Sequence, residues 1–193
     1  MAEAPARDAI TGLVLAGGRG QRLGGVDKGL QPWRGRPLVD HALARLAPQV
    51  CELMISANRN TGDYAARAAR VLADASDDFP GPLAGILAGL RACPTPWLAV
   101  VPCDSPQLPA DLVARLAHAL GDAPGAVVQR GARMEPVCCL LSTALADDLE
   151  RYLAEGSRKV EGWLSRHARP VPFDRPEDAA AFANVNTPAD LES

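Results

Sequence analysis

A chain of 193 residues, 48% hydrophobic and 22% charged, has the size and balance of one soluble globular domain with room for a sizeable core. Its net charge of −3 leaves no broad basic surface for a polyanion, and aromatic residues at only 4% exclude a base-stacking nucleic-acid platform. No apolar run approaches the roughly 18–20 residues that cross a bilayer, and the start "MAEAPARDAI" lacks the apolar centre of a signal peptide.

Residues 1–9 read as a short disordered leader and 10–193 as a single domain. Apolar runs bounded by turn residues predict strands at 11–16, 52–57, 70–73, 97–101, 126–129 and 137–141, with a short one at 170–173. Between them, helical patterns occupy 37–47, 63–69, 82–92, 110–120, 143–154 and 157–167, and a last helix at 188–191. Pro37, Pro82, Pro109 and Pro188 sit near helix starts, where a missing N–H costs least, and Thr187 suits the N-cap of the last helix. Short, unalternating strands separated by helices imply an α/β domain with a largely parallel sheet covered on both faces. The five cysteines, Cys51, Cys93, Cys103, Cys138 and Cys139, form no CxxC pair and have no zinc spacing. Most lie inside apolar runs, as reduced core residues of a cytoplasmic protein do.

Ligands of such sheets bind beyond the carboxyl ends of the strands. Glycines follow the first strand here, Asn58 the second, Asp74 the third and Asp104 the fourth, so all four lie along one edge. Core packing gives no reason for that coincidence. The glycine stretch "LAGGRGQRLGGVDKGL", residues 15–30, is not a P-loop, because Asp27 and Gly29 flank Lys28. It is not a dinucleotide fingerprint either, because Leu23 stands where the third glycine belongs. It still has the physics of phosphate binding. Gly17, Gly18, Gly24 and Gly25 let backbone N–H groups converge on an anion, and Arg19, Arg22 and Lys28 bring positive charge to an acidic chain. A charge pair at 4 Å is worth about 1 kcal/mol in water and about 4 at an effective dielectric near 20, so these cations matter only where the loop closes over its ligand.

The stretch resembles the signature L-x-G-G-x-x-x-R-x-G-G-x-D-K of nucleotidyltransferases, and its doubled GG with "DKG" is similar to the MobA-type molybdenum cofactor guanylyltransferases. "ISANR" from Ile55, "FPGPLAG" from Phe79, "VPCDSP" from Val101 and "NVNTPADL" from Asn184 follow in that family's order across nearly the whole chain. The resemblance implies a three-layer α/β/α, Rossmann-like fold with a mostly parallel central sheet. It also implies transfer of GMP from GTP to the terminal phosphate of Mo-molybdopterin, with Mg2+ as cofactor and pyrophosphate as the leaving group. By the same resemblance, Lys28, Arg22 and Asp104 are catalytic, with Asp104 the metal ligand. GTP is bound by Leu15, Ala16, Gly17, Gly18, Lys28, Asn58, Asp74, Gly81, Gly85 and Asp104. Molybdopterin meets Arg158, Asn184 and Asn186.

Several alternatives stay open at this level. Either Asn58 or Asp74 can read the guanine. Asp27 either orients Lys28 or caps a turn. Gly81 and Gly85 serve close backbone approach or packing, Asn184 and Asn186 also suit a turn before Thr187, and Arg158 with Lys159 also suits a solvated helix start. Glu135 departs from the family pattern, which often has His or Gln before the following proline. A carboxylate there is unfavourable near anionic substrates unless it faces a cation. The three histidines, His41, His118 and His167, fall in helical patterns and read as helix residues. This suits a reaction whose phosphate nucleophile needs no base. Related enzymes for cytidylyl transfer or sugar phosphates, and a non-catalytic nucleotide binder, are the competing classes. The ending NVNTP speaks against the sugar enzymes, and Lys28 together with Asp104 against a pure binder. The family also implies transient contact with a molybdate-insertion enzyme or a molybdoenzyme chaperone, and no nucleic-acid or membrane partner.

Overall fold

The computed structural model describes residues 3–17, 26–68, 70–73 and 81–191. After a 3-10 turn at Arg7–Ala9, at the end of the expected leader, the chain enters β1 (Ile10–Leu15). A small hairpin of β2 (Pro32–Trp33) and β3 (Arg36–Pro37) leads into α1 (Leu38–Leu46). There follow β4 (Glu52–Ser56), α2 (Thr61–Ala65), β5 (Arg70–Leu72), α3 (Pro82–Ala92), β6 (Trp97–Pro102) and α4 (Leu112–Ala119). The second half runs β7 (Gly125–Arg130), β8 (Arg133–Ser142), α5 (Ala146–Ala154), α6 (Val160–His167), β9 (Ala168–Pro172) and α7 (Pro188–Leu191).

The main sheet has seven strands in the order β5-β4-β1-β6-β8-β7-β9, and every neighbouring pair is parallel except those made by β8. Alternate side chains of one strand serve two cores, as strand geometry requires. Ile10 and Val14 of β1, with Ala99 and Val101 of β6, join α1, α4 and Tyr64 of α2 on one face. Leu13, Leu98 and Val100 join α3, α5 and α6 on the other. With helices on both faces, strands buried on both sides follow, and hence the unalternating apolar runs of the sequence. Each fully buried Leu, Ile or Val contributes roughly 1.5–3 kcal/mol of transfer free energy. Among the described residues no helix is long and apolar enough to cross a membrane.

Several local features differ from the sequence expectation. The β2–β3 hairpin has no apolar run to announce it. It turns on Arg34 (φ 49°) and Gly35 (φ 77°), two consecutive left-handed residues of the kind that match the strand twist of a two-residue hairpin. β8 begins at Arg133 rather than 137 and runs antiparallel, because Gly131 (φ 53°) closes a tight turn after β7. Its Pro136 sits in a bulge where the register steps from Val127↔Cys139 to Val128↔Glu135, the place where a strand tolerates a missing N–H. The helix expected at 63–69 ends at Ala65, and the one expected at 143–154 opens with a 3-10 turn, Thr143–Leu145.

Candidate active site

The ends of β4, β1 and β6 are laced into one rim. Ala16 N–H donates to Ser56 O (2.8 Å) and Cys103 N–H to Leu15 O (3.1 Å). This sets Leu15, Ala16 and Gly17 between the segments that carry Asn58 and Asp104. A Cβ on Gly17 would stand 3.7 Å from Asn58 Nδ2 and 3.7 Å from Ser56 O, so the Asn58 amide lies against the first backbone residues beyond β1. Gly18, Arg22 and Asp74 lie outside the described residues.

Asp27 caps the 3-10 turn Lys28–Leu30, accepting the Gly29 N–H at 3.2 Å. Of the two roles open to it, the capping one is seen directly. Its carboxylate also accepts from Tyr64 Oη (2.6 Å) and Asn60 Nδ2 (3.0 Å). Lys28 leaves this turn toward β6. Its Nζ donates to Asp104 Oδ2 and to Asn186 Oδ1, both at 2.6 Å, across sequence separations of 76 and 158 residues. Both charged side chains are 19% exposed. A partly solvated pair adds at most about 1 kcal/mol to stability. What the contact supplies is therefore placement: a cation held where three strand ends meet.

The "NVNTP" segment closes over the turn after β6. Val185 N–H donates to Asp104 O (2.9 Å), and the buried Ser105 hydroxyl donates to Asn184 Oδ1 (2.7 Å). Asp190 accepts the backbone N–H groups of Asn186 (2.9 Å) and Thr187 (2.8 Å), and its own N–H donates to Thr187 Oγ1 at 3.3 Å. This is a reciprocal cap with Thr187 as N-cap. Those backbone donors, Asn186 first, hold the Asp190 carboxyl below its ordinary range. Asn186 thus takes part in the cap through its backbone while its side chain reaches Lys28. Beside Asp104, burial above all pushes the Cys103 thiol up to about 12, which leaves it a protonated core residue.

Of the other expected residues, Gly81 (φ 118°) starts α3, and among the described residues nothing lies within 4 Å of where its Cβ would stand. Gly85, one turn on, is pressed against the sheet: a Cβ there would lie 2.6 Å from Ser56 Oγ and 3.0 Å from Leu15 Cδ2. Its role in the structure is close packing of helix on strand. Arg158 follows α5, and its Nη1 donates to the carbonyls of Leu153 and Ser157, both at 2.7 Å. The strand directions put that loop on the same sheet edge as Asp104. Glu135 is buried at the β8 bulge and faces Arg133 Nε (3.6 Å) and Arg130 Nη1 (3.9 Å). The cation its position requires is therefore supplied within the fold. All three histidines lie in helices with partners: His41 on Trp33 O, His118 on Ala114 O and His167 on Asp148. Sequence reasoning missed Asn60, Tyr64 and Ser105. Asn60 precedes and Tyr64 lies in a short helix with no motif, and Ser105 meets Asn184 only through a fold that brings residues 79 apart together.

A model of the MobA-like NTP transferase domain matches residues 12–171. A protein of Ralstonia nicotianae named molybdenum cofactor guanylyltransferase is 53% identical over 94% of this chain and 94% of its own length. One of the same name from Cupriavidus necator is 52% identical over 97% of each. Among solved structures, molybdopterin-guanine dinucleotide biosynthesis protein A of Archaeoglobus fulgidus superposes with a TM-score of 0.76 over 94% of this chain and 95% of its own, at 23% identity. That likeness bears on the fold alone.

Proposed function

The chain belongs to the family of MobA-like NTP transferases, and from that premise we propose that it transfers GMP from GTP to the terminal phosphate of Mo-molybdopterin, releasing pyrophosphate and forming the guanine dinucleotide cofactor. The observation that carries the reading is the junction of Lys28 with Asp104 and Asn186. It unites the signature lysine, the carboxylate at the end of β6 and the NVNTP segment at one sheet edge. The relatives named molybdenum cofactor guanylyltransferase, at just over half identity across nearly the full chain, support the same reaction.

An oxygen of the acceptor phosphate attacks the α-phosphorus of GTP as the bond to pyrophosphate breaks. The attacking oxygen is already anionic near neutral pH, so the chain need supply no base, in keeping with histidines bonded elsewhere. Lys28 exchanges Asp104 for phosphate oxygens when the nucleotide enters, and it offsets the charge that builds on the leaving group. Arg22 and Gly18 assist from the glycine loop. Leu15, Ala16, Gly17 and Gly81 offer backbone to the nucleotide, Gly85 sets α3 against that rim, and Asn58 with Asp74 reads the nucleoside. Asn184, Asn186 and Arg158 face the acceptor. Asp104 is the residue that would hold Mg2+, which supplies phosphate charge neutralisation when bound. The donor fits: the partly exposed Asp104 carboxylate, just beyond β6, is a hard oxygen ligand of the kind that holds an ion whose other ligands come from phosphate and water. The reading places the work in the cytoplasm, with the product passed to a protein that handles the labile cofactor.

Purified protein, Mg2+ and Mo-molybdopterin are to be incubated with GTP, CTP or ATP and scored for dinucleotide. GTP alone is expected to give product, with kcat lowered about 10²–10³-fold by Lys28→Ala or Asp104→Ala. Product from CTP alone overturns the base assignment, and bound GTP without product makes the chain a nucleotide binder.

A further inference from the structure

The Lys28 turn is also gripped from the side away from Asp104. Asp27 is buried, and both of its carboxylate oxygens are engaged: Oδ1 by Gly29 N–H and the Tyr64 hydroxyl, Oδ2 by the Asn60 amide. Tyr64 is itself fully buried on α2. Burial first, and then Asp27, raises its phenol above the ordinary value, so its proton stays in place to be donated. Gly29 is the counterpart of this contact, since a Cβ there would overlap the Tyr64 hydroxyl. Asn60 adopts a left-handed conformation, φ 49°, in which its amide reaches back to Asp27. The segment that carries both residues starts at the end of β4 with Asn58 against Gly17, so one stretch of chain touches the strand-end rim and the base of the lysine turn.

We infer that Tyr64, with Asn60, is a positioning residue for Lys28, acting through Asp27 and the 3-10 turn. The chemistry that Lys28 serves rests on the GMP-transfer reading; the geometry of the grip does not. A buried ring needs no hydroxyl to pack. The hydroxyl matters because a buried carboxylate accepts only and is costly to leave short of donors. In Tyr64→Phe, Oδ1 keeps Gly29 N–H alone, the carboxylate turns or draws in water, and Lys28 Nζ is no longer aimed.

The chain contains two lysines, Lys28 and Lys159, so acylation by an amine reagent, read by mass spectrometry as the Lys28 to Lys159 ratio, reports Lys28 with its own internal standard. Tyr64→Phe is expected to raise that ratio several-fold. It should also lower kcat by about ten- to a hundredfold, the cost of misplacing a group by about 1 Å, with KM for GTP nearly unchanged. In a Lys28→Ala background the further loss should vanish. Asn60→Ala, at a more exposed position, should move both readouts in the same direction and covers the case in which Tyr64→Phe does not fold. An unchanged labelling ratio and kcat overturn the inference. So does an equal loss in the Lys28→Ala background, which marks a general fold defect. If the unaltered protein makes no dinucleotide, the GMP-transfer reading fails, while the labelling ratio still decides whether Tyr64 holds Lys28.

Discussion

Gly81 and Gly85 lie one turn apart at the start of α3, yet they resist substitution for different reasons. At Gly81 a side chain would meet none of the described residues within 4 Å, but the backbone at φ 118° is one that side chains disfavour. Gly81→Ala is expected to cost about 1 kcal/mol or more through conformation alone. Gly85 has no such backbone, but its Cβ would crowd Ser56 Oγ and Leu15 Cδ2. Gly85→Ala should therefore lose about 1–3 kcal/mol by overpacking, seen in urea unfolding as a lower midpoint with an unchanged slope. Adding Ser56→Ala should return part of the second loss and none of the first. Equal rescue of both would show that the two glycines share one cause.

Between β9 and the NVNTP segment, a strap of residues 173–183 crosses α4, and its anchor is Arg115. The Arg115 guanidinium makes two bonds to Asp178, at 2.8 and 2.9 Å, a third to Pro172 O, and stacks 3.6 Å over Phe173. Asp178 is 2% exposed, so this pair, unlike that of Lys28, is an element-level fastening. Removing one partner of a buried pair is costly, and Asp178→Ala should lose about 3 kcal/mol at neutral pH. The Arg115 hydrogen bond, outweighing burial, holds the Asp178 carboxyl below its ordinary value. The sign follows from that lowering. The stabilisation is complete above the ordinary carboxylate pKa of about 3.9 and is lost as pH falls through the lowered native value. Unfolding free energies of the parent and Asp178→Ala proteins, measured from pH 7 down to the acid limit, should therefore converge only in strong acid. A gap that stays constant with pH would exclude the ion pair as its source.

Across the whole molecule, the rim at β4, β1 and β6 sits where β1 has parallel neighbours on both sides, and a ligand there touches several elements at once. Nucleotide binding should therefore stabilise the entire fold. At a hundred times Kd the gain is about 2.7 kcal/mol, which for a chain of this size is a rise in Tm of roughly 5–10 °C. GTP with Mg2+ should produce that rise in a thermal scan, while CTP at equal concentration should leave Tm nearly unmoved; equal shifts would sink the guanine preference.

The sequence by itself determined what depends on near neighbours. The buried strands β1, β4 and β6 follow from short apolar runs. The bounds of α3 follow from Pro82 and the apolar face behind it, and Thr187 as a cap from its place before a short helix. The alignment of Asn58 and Asp104 on one edge follows because each directly succeeds a strand of a parallel sheet. The role of Asp27 was narrowed to two, and Glu135 was marked as needing a cation. Only the tertiary structure decided which roles those residues take. Asp27 meets Tyr64 across 37 residues, and Lys28 meets Asn186 across 158. β8 reverses direction through the tight turn at Gly131 and pairs with β7 across a bulge. The physical reason is common to all of these. Side-chain periodicity and capping act within a turn or two of chain, whereas a hydrogen bond between distant residues exists only after the core has packed and has no counterpart in the local pattern.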